Sequence, residues 1–305
     1  MITGPWWVLF TLLAAASQTA RNAMQRGLTG TIGTIGATQV RFLFGLPFSA
    51  LCVAVLASRP GFHWPSMSIA FWGWTIVGAT TQIAATALML AAMRLRSFVV
   101  ATAYVKTEPV LVALFGLLVL GEHPGWLGAL AIGVACAGVM TMSWPAPAAR
   151  QRPAAWTDAI APIACGIGAG AGFALSSVAF RAAILALGEG SFVDHASVTL
   201  LCSLAIQTAQ LGLYLVLWNR PVLWAILRQW RTSMLAGFAG ALASQMWFLA
   251  FAIESAARVR TLGLVEILFA QIVSRRLFAQ GSSRREKLGI AMVVAGVVAL
   301  LAAGR

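Results

Sequence analysis

Charged residues are scarce in this sequence, and acidic residues are the scarcest of them. Only 10% of the 305 residues are charged and eight are Asp or Glu, whereas 60% are hydrophobic. Soluble globular domains carry charge on about a quarter of their residues. Because a soluble fold cannot bury so much apolar surface, a soluble domain is excluded and a membrane protein is predicted.

The short motifs of enzyme and cofactor chemistry are also missing. Neither Lys106 nor Lys287 lies in a Walker A stretch, and no HExxH or GxSxG sequence occurs. The three histidines are isolated in connections or at the ends of apolar runs, at His63, His123 and His195. We therefore expect no ATP-driven step, no enzymatic activity and no cofactor.

Cysteine is rare and has no metal-site spacing. The four cysteines lie singly inside apolar runs, at Cys52, Cys136, Cys165 and Cys202. Zinc sites and disulfide frameworks need paired or clustered cysteines. Neither a metal nor a disulfide is expected, and the thiols are predicted to be buried.

In place of charge the chain has ten apolar segments. They have about the 17–25 residues that cross a hydrocarbon core about 30 Å thick at 1.5 Å per residue. The segments cover residues 5–20, 36–57, 69–93, 97–120, 125–143, 159–180, 195–218, 233–253, 257–278 and 287–303. The sequence therefore predicts an all-α membrane protein with ten transmembrane helices.

A proline-rich stretch, residues 144–153, separates two sets of five segments. Shifting the second half by 158 positions aligns Glu108 with Glu266 and Gly138 with Gly296. A unit of five spans must start its second copy from the opposite side of the membrane, as in the inverted repeats of many secondary transporters. The predicted division is a first repeat at 1–145, a linker at 146–157 and a second repeat at 158–305.

The net charge of +13 comes from scattered arginines and not from a basic face or arm, so no nucleic-acid partner is predicted. Basic residues mark the cytoplasmic side of short connections. Most of the 21 arginines and lysines fall in alternate connections, starting with the one that contains Arg21, and fewer fall on the other side, among them Arg181 and Arg260. Both termini are therefore predicted to be non-cytoplasmic.

Ionisable side chains inside the apolar segments are the first candidates for function, because such groups are costly at membrane depth unless they face a cavity or one another. Glu108 lies in the fourth segment, Glu266 at the equivalent point of the ninth, and the cations Arg41 and Lys106 also lie within segments. Two interpretations of Glu108 stay open: a proton-coupling or substrate-amine site, and a structural ion pair with Lys106 or Arg41. For Glu266 we consider a protonated carboxyl or a pair with Arg260.

Neutral polar side chains recur on the other segments at helical spacing, where residues three or four apart share a face. They are Gln18 and Asn22 in the first segment, Gln82 and Thr86 in the third, Ser177 in the sixth and Ser244 in the eighth. Such groups either line a substrate cavity or join packed helices by hydrogen bonds of about 0.6–2 kcal/mol each. A stripe on the seventh segment, from Ser203 to Tyr214, has the same two interpretations.

Two aromatic residues lie deep enough to join a cavity. Tyr104 precedes Glu108 by one helical turn, and Trp247 follows Ser244. An aromatic face beside a carboxylate can bind a cation or another ring. Tryptophans near segment ends, such as Trp64, are predicted to be interfacial anchors.

Several of these motifs resemble those of a known family. They are the TxRF-like stretch Thr38–Phe42, Glu108-Pro109, Gly121-Glu122 and Gly138-Val139. With the two five-helix repeats, they resemble the EamA type of the drug/metabolite transporter superfamily, and the chain is similar to YddG-like amino-acid exporters. In the second repeat, Ile267 replaces the proline and Ala279-Gln280 replaces Gly-Glu. The resemblance implies a central cavity and export of small metabolites by alternating access.

The predicted function is therefore secondary transport. Amino acids, including aromatic and hydrophobic ones, are the first class of exported substrate. A proton-coupled exporter of cationic drugs is the alternative, favoured if Glu108 or Glu266 is an unpaired carboxylate in an aromatic cavity. The cavity is expected near the midplane between spans 1, 3 and 4 and spans 6, 8 and 9. The expected partners are a small-molecule substrate and the bilayer of the inner membrane, for a monomer or homodimer.

Overall fold

The computed structural model describes residues 6–95, 105–143, 156–269 and 284–303, and within these ranges the chain is helical with no β-strand. The helices are α1 (Trp6–Leu43), α2 (Leu46–Ala57), α3 (Ile69–Leu95), α4 (Glu108–Leu120), α5 (Gly125–Ser143), α6 (Trp156–Leu185), α7 (Phe192–Trp218), α8 (Arg220–Arg228), α9 (Trp230–Ile253), α10 (Ala256–Leu262) and α11 (Arg284–Ala302). A 3₁₀ turn, Gly263–Val265, follows α10, and residues 266–269 are helical again. Residues 146–155 of the predicted linker and parts of the fourth and ninth predicted segments lie outside the described residues, whereas residues 156 and 157 already belong to α6.

Five of the described helical segments are long and apolar enough to cross a membrane. They are Gly27–Ala57, Ile69–Met93, Ile160–Leu185, Phe192–Trp218 and Trp230–Ile253. Shorter apolar helices cover Glu108–Leu120, Gly125–Thr141 and Lys287–Ala302. The all-α, multi-pass membrane class is confirmed, whereas the total of ten spans stays a prediction.

Helix α1 differs from the predicted pattern because the chain reverses within it. Gly33 has φ 71° and ψ 178°, outside the helical region. The side-chain amide of Gln25 donates to the carbonyl oxygen of Ala37 at 2.8 Å, although a straight helix would separate residues twelve apart by about 18 Å. The chain therefore turns back at Gly33, and helix continues through residues that hydropathy assigned to a connection.

The predicted ends of the first two spans, and the placement of Arg21 in a connection, are therefore wrong. Residues 21–26 include two arginines, an asparagine and a glutamine, which lower the local hydropathy. Because Arg21 and Gln25 are buried in the protein, this polar stretch stays helical without exposing either side chain to lipid. Arg260 is likewise buried in α10 and not in a connection. The excess of basic residues in the first set of connections persists without these two, so the orientation stays a prediction.

Alanine at Gly33 is expected to destabilise the protein by about 1–3 kcal/mol, because this combination of φ and ψ is essentially restricted to glycine. No neighbouring atom would lie within 4 Å of the added methyl group, so the effect comes from the backbone alone. Gly30→Ala is the matched control, since Gly30 is also open on all sides but has no positive φ. In thermal unfolding, equal midpoints for the two variants would contradict the reversal at Gly33.

The helices group into two compact units. Unit 1 comprises residues 1–83 and 176–255. In it α1 packs along α9, and both α2 and α9 pack against α7. The rings of Phe180 and Phe248 lie 4.7 Å apart in its interior. The short helix α8, which hydropathy did not predict, buries Ile226 and leaves Trp224 exposed.

Unit 2 comprises residues 84–175 and 256–305. Its closest helix pair is α5 with α11, where a Cβ on Gly138 would lie 2.7 Å from Gly289 O and one on Gly296 would lie 2.8 Å from Ala131 O. The two contacts are equivalent under the shift of 158 positions, which aligns Gly138 with Gly296 and Ala131 with Gly289. The backbones of these two helices are therefore in direct contact at both points.

The Gly121-Glu122 pair of the resemblance has a structural role at the end of α4. Gly121 adopts the left-handed conformation with φ 66° and donates its N–H to Leu117 O, while Glu122 N donates to Gly116 O. These two bonds satisfy carbonyl groups that a helix end leaves free. Both units contain helices from both halves of the chain, so the repeats at 1–145 and 158–305 with their linker at 146–157 stay a prediction.

Candidate functional site

A close contact between α1 and α9 brings polar side chains together inside unit 1. Gly240 of α9 makes this approach possible, since a Cβ there would lie 3.3 Å from Arg21 Cδ and 3.3 Å from Arg41 Cγ. Arg21 and Arg41 come from the two arms of α1, before and after the reversal at Gly33. The reversal therefore places two arginines that are twenty residues apart in sequence against one glycine.

Both arginines are almost completely buried, with exposed fractions of 2% for Arg21 and 3% for Arg41. Arg21 donates from Nη2 and Nε to Asn22 Oδ1, at 2.8 and 3.3 Å. Arg41 Nη2 lies 3.5 Å from Ser244 Oγ, one helical turn beyond Gly240. The acceptors in these contacts are an amide oxygen and a hydroxyl oxygen.

Trp247 adds an aromatic wall to this cluster. Its indole Nε1 donates to Gln18 Oε1 at 3.0 Å, and its ring stacks on Phe251 with centroids 6.1 Å apart. Gln18 lies one turn before Arg21 and Asn22 on α1, so it shares their helix face. We call Gln18, Arg21, Asn22, Arg41, Ser244 and Trp247 the arginine cluster.

Other polar residues of unit 1 join helices to one another. Gln207 on α7 donates to Gln82 Oε1 on α3 at 2.8 Å, and Gln210 donates to Thr80 Oγ1 at 3.0 Å. Of the two interpretations of the seventh segment, these contacts favour helix packing for Gln207 and Gln210. Ser177 is buried in α6.

Unit 2 contains a second cluster, which is made of two buried ion pairs. Lys106 Nζ lies 2.8 Å from Glu266 Oε2, and Arg260 Nε lies 3.0 Å from Glu108 Oε1. All four side chains are less than a tenth exposed. Each pair joins a residue from the first half of the chain to one from the second half. We call these four residues the ion-pair cluster.

Interruptions in the helices place both carboxylates. Residues 106 and 107 form a turn, and α4 begins at Glu108 with Pro109 in its first turn. The 3₁₀ turn Gly263–Val265 stands directly before Glu266. A carboxylate in the first turn of a helix is stabilised by the free N–H groups and the dipole of that end. The two aligned glutamates therefore occupy the same kind of position.

The structure changes several assignments made from the sequence. The sequence suggested Lys106 or Arg41 as the partner of Glu108, and the structure shows an ion pair of Glu108 with Arg260. For Glu266, where Arg260 was considered, the structure shows an ion pair with Lys106.

The candidate residues are thus divided between the two clusters. Gln18, Asn22, Arg41, Ser244 and Trp247 come together in unit 1, and Lys106, Glu108 and Glu266 come together in unit 2. Gln82 and Ser177 lie elsewhere in unit 1, Thr86 is buried in unit 2, and Tyr104 lies outside the described residues. Sequence reasoning missed Arg21, although its spacing of three residues from Gln18 placed it on the same face.

Metal-binding groups are not seen in the described parts of the chain. There, no group of three or more His, Cys, Asp or Glu residues could hold a metal ion, and the four cysteines are free thiols.

These features define an integral membrane protein with buried polar clusters in apolar helices, the class to which solute transporters belong. Residues 5–144 match the model of the EamA-like transporter family. This part is close to half of the chain, and over it the match confirms the resemblance to the EamA type of the drug/metabolite transporter superfamily. This match and the long apolar helices indicate a multi-pass membrane protein of the transporter type.

Comparison with solved structures supports the same fold. A structure described only as "Crystal structure of protein" is similar over 96% of this chain and 94% of its own, with a TM-score of 0.69 and 14% sequence identity. At this identity the similarity establishes the fold alone. No curated protein matches the chain.

Proposed function

We propose that the protein is a ten-span secondary transporter of the inner membrane that exports amino acids or related small metabolites by alternating access. The observation that carries this proposal is the arginine cluster, where Arg21, Arg41 and Trp247 are buried together in apolar helices. Ionisable groups at membrane depth are costly and mark a solute pathway by default. A cationic and aromatic lining suits a substrate that has a carboxylate and an apolar side chain.

The proposed inverted repeats are supported by the contact of α5 with α11. Gly138 meets Gly289 and Gly296 meets Ala131, which is the exchange of equivalent positions that a two-fold axis produces. Inverted repeats of this kind are the usual basis of alternating access. The similarity to YddG-like exporters points to amino acids as the first substrate class.

The alternative, proton-coupled export of cationic drugs, requires a carboxylate that is available to a cation. Glu108 and Glu266 lie within 3.0 Å of Arg260 and within 2.8 Å of Lys106, respectively. A cationic substrate would have to displace one of these bases. We therefore place amino acids first.

Counterflow in proteoliposomes tests the proposed function. Vesicles are loaded with unlabelled amino acids or with quaternary ammonium compounds, and uptake of the labelled partner is followed. Exchange of amino acids alone supports the proposal, exchange of lipophilic cations supports the alternative, and exchange of neither contradicts both. A reporter fused after residue 305 tests the proposed non-cytoplasmic termini, and mass measurement in detergent tests the proposed monomer or homodimer.

Glu108→Gln is expected to slow amino-acid exchange by about tenfold or more, because it leaves Arg260 buried without its carboxylate. The pH dependence of exchange separates the two functions. If it is the same in the variant as in the parent protein, Glu108 is not a proton-coupling group. A variant that exchanges amino acids at the parent rate would remove Glu108 from the transport mechanism altogether.

A further inference from the structure

The short helix α8 connects two apolar helices that are each long enough to cross a membrane. Because α7 ends at Trp218 and α9 begins at Trp230, α8 lies where the chain leaves the hydrocarbon core and enters it again. The reversal of α1 lies at the same end of unit 1, since Thr31 Oγ1 donates to Gln229 Oε1 at 3.3 Å. Two turns of the chain meet at this end, which we therefore place at one surface of the bilayer.

Helix α8 has one face against the protein and another face outside it. Ile226 is completely buried, whereas Arg220, Trp224 and Arg228 are exposed. The three exposed residues are spaced by four, so they form one stripe along the helix. Ile226 follows Trp224 by two residues and lies on the opposite side of the helix. An exposed tryptophan between two arginines suits the boundary between hydrocarbon and water, where tryptophan is enriched.

A groove of about 620 Å³ opens beside this stripe. Its lining consists of Pro221, Trp224, Ala225, Arg228 and Gln229. The guanidinium group of Arg228 presents a planar fork of N–H donors that matches two oxygens of a phosphate. The ring of Trp224 adds an apolar surface next to this cation. The groove therefore combines a site for a phosphate with a surface for the carbon atoms attached to it.

The acidic residues of unit 1 stand at the ends of α7 and α9 that are remote from α8. They are Glu189, before α7, Asp194, in its first turn, and Glu254, at the cap after α9. The 24 residues of α9 cover about 36 Å, so these carboxylates lie on the far side of the unit. The α8 end also carries Arg231, which is exposed in the first turn of α9. This end of unit 1 is therefore basic and attracts anionic groups of the surrounding membrane.

We propose that α8 binds the headgroup of an anionic phospholipid, with the phosphate at Arg228 and the attached carbon atoms along Trp224. Arg220, at the start of α8, and Arg231, three residues after Arg228, strengthen the attraction of the negative headgroup. The partner is a lipid and not a soluble phosphate compound, because exposed apolar residues such as Leu217 lead from this site along α7 into the acyl region. The inference does not depend on which molecule the protein transports.

The test measures lipid binding to the purified full-length protein in detergent by native mass spectrometry, which counts the bound lipids. The probes are dioctanoyl phosphatidylglycerol, which is anionic, and dioctanoyl phosphatidylcholine, which is zwitterionic. Because each arginine near the surface contributes about fivefold, we expect the anionic lipid to bind at least about tenfold more tightly. Equal affinities for the two lipids would overturn the proposal. Displacement of the anionic lipid by an equal concentration of inorganic phosphate would assign the groove to a soluble anion and would also overturn it.

Variants locate the bound lipid on α8. Arg220→Gln/Arg228→Gln is expected to bind phosphatidylglycerol about tenfold or more weakly than the parent protein and to bind phosphatidylcholine equally well. Arg284→Gln/Arg285→Gln is the matched control, since it removes the same charge from two exposed residues at the start of α11. We expect this control to keep the parent affinity to within about threefold. Equal losses in the two double variants would show that net charge, and not α8, sets the affinity.

Two further variants complete the test. Arg228→Lys keeps the charge but loses the planar fork, so it is expected to retain more affinity for phosphatidylglycerol than Arg228→Gln. If Arg220→Gln/Arg228→Gln is not monodisperse, the comparison of the two lipids on the parent protein and on Arg228→Gln decides the question. The same spectra report the number of protein chains. A dimer that Trp224→Ala converts to a monomer would assign the groove to a second copy of this chain and overturn the proposal.

Discussion

Replacing Gly138 by leucine is expected to destabilise the protein by about 3 kcal/mol or more and to remove most of the folded material. A Cβ at this position would lie 2.7 Å from Gly289 O and 2.8 Å from Val293 N, which are backbone atoms of α11. Backbone atoms cannot move aside as a flexible side chain can, so the two helices would have to separate. The measurement is the yield of monodisperse protein after extraction, together with its thermal unfolding midpoint.

Gly133→Leu is the matched control on the same helix. Gly133 is exposed and has no neighbouring atom within 4 Å of an added Cβ, so a leucine there is expected to face lipid without loss of stability. Gly296→Leu is expected to lose as much stability as Gly138→Leu, because a Cβ at position 296 would lie 2.7 Å from the backbone nitrogen of Ala135. Equal yields for the Gly138 and Gly133 variants would contradict the close approach of α5 and α11.

The long apolar helices were predictable from the sequence because hydropathy depends on composition alone. Segments such as 69–93 and 195–218 lie within α3 and α7. The alignment of Glu108 with Glu266 also has a structural counterpart, since both stand directly after an interruption of helical structure. Pro109 indicated the first interruption, whereas no proline marks the second.

The reversal at Gly33 was not predictable from hydropathy, because a polar stretch has the same mean hydropathy whether it forms a loop or a buried helix. Arg21 and Gln25 lower the mean hydropathy in either case, and only burial against α9 and the second arm of α1 separates the two. The sequence did contain one usable signal, the spacing of Gln18, Arg21 and Gln25, which places them on one helix face. Glycine at position 33 permits the positive φ but does not require it.

The partners of the two glutamates could not be predicted from sequence either, because they depend on which helices pack together. Proximity in sequence suggested Lys106 for Glu108, yet α10 packs against α4 and brings Arg260 to Glu108. Lys106 is then available to Glu266. The result is an ion-pair cluster in which each half of the chain supplies one acid and one base, so its four charges sum to zero.

That balance gives the second large prediction: Glu266→Gln is expected to lower the free energy of unfolding by about 3–5 kcal/mol, because it leaves the buried ammonium of Lys106 without its carboxylate. Glu189→Gln is the control, since Glu189 is exposed in a connection and its loss is expected to change stability by less than about 0.5 kcal/mol. Thermal unfolding in nanodiscs measures the stability of both variants. Equal unfolding midpoints for Glu266→Gln and Glu189→Gln would contradict the buried pair.

The double variant Lys106→Leu/Glu266→Leu distinguishes a structural pair from a functional one. Removing both members of the pair leaves neither charge without the other, and apolar replacements of buried ion pairs are often neutral or stabilising, so we expect the unfolding midpoint to return to near that of the parent. Amino-acid counterflow by this stable protein then reports on the pair itself. A parent-like rate would show that the pair only holds α4 and the helix that begins at Glu266 in place. A stable double variant without exchange would mean that the charges take part in the transport cycle, because the pair must break and re-form as the helices move.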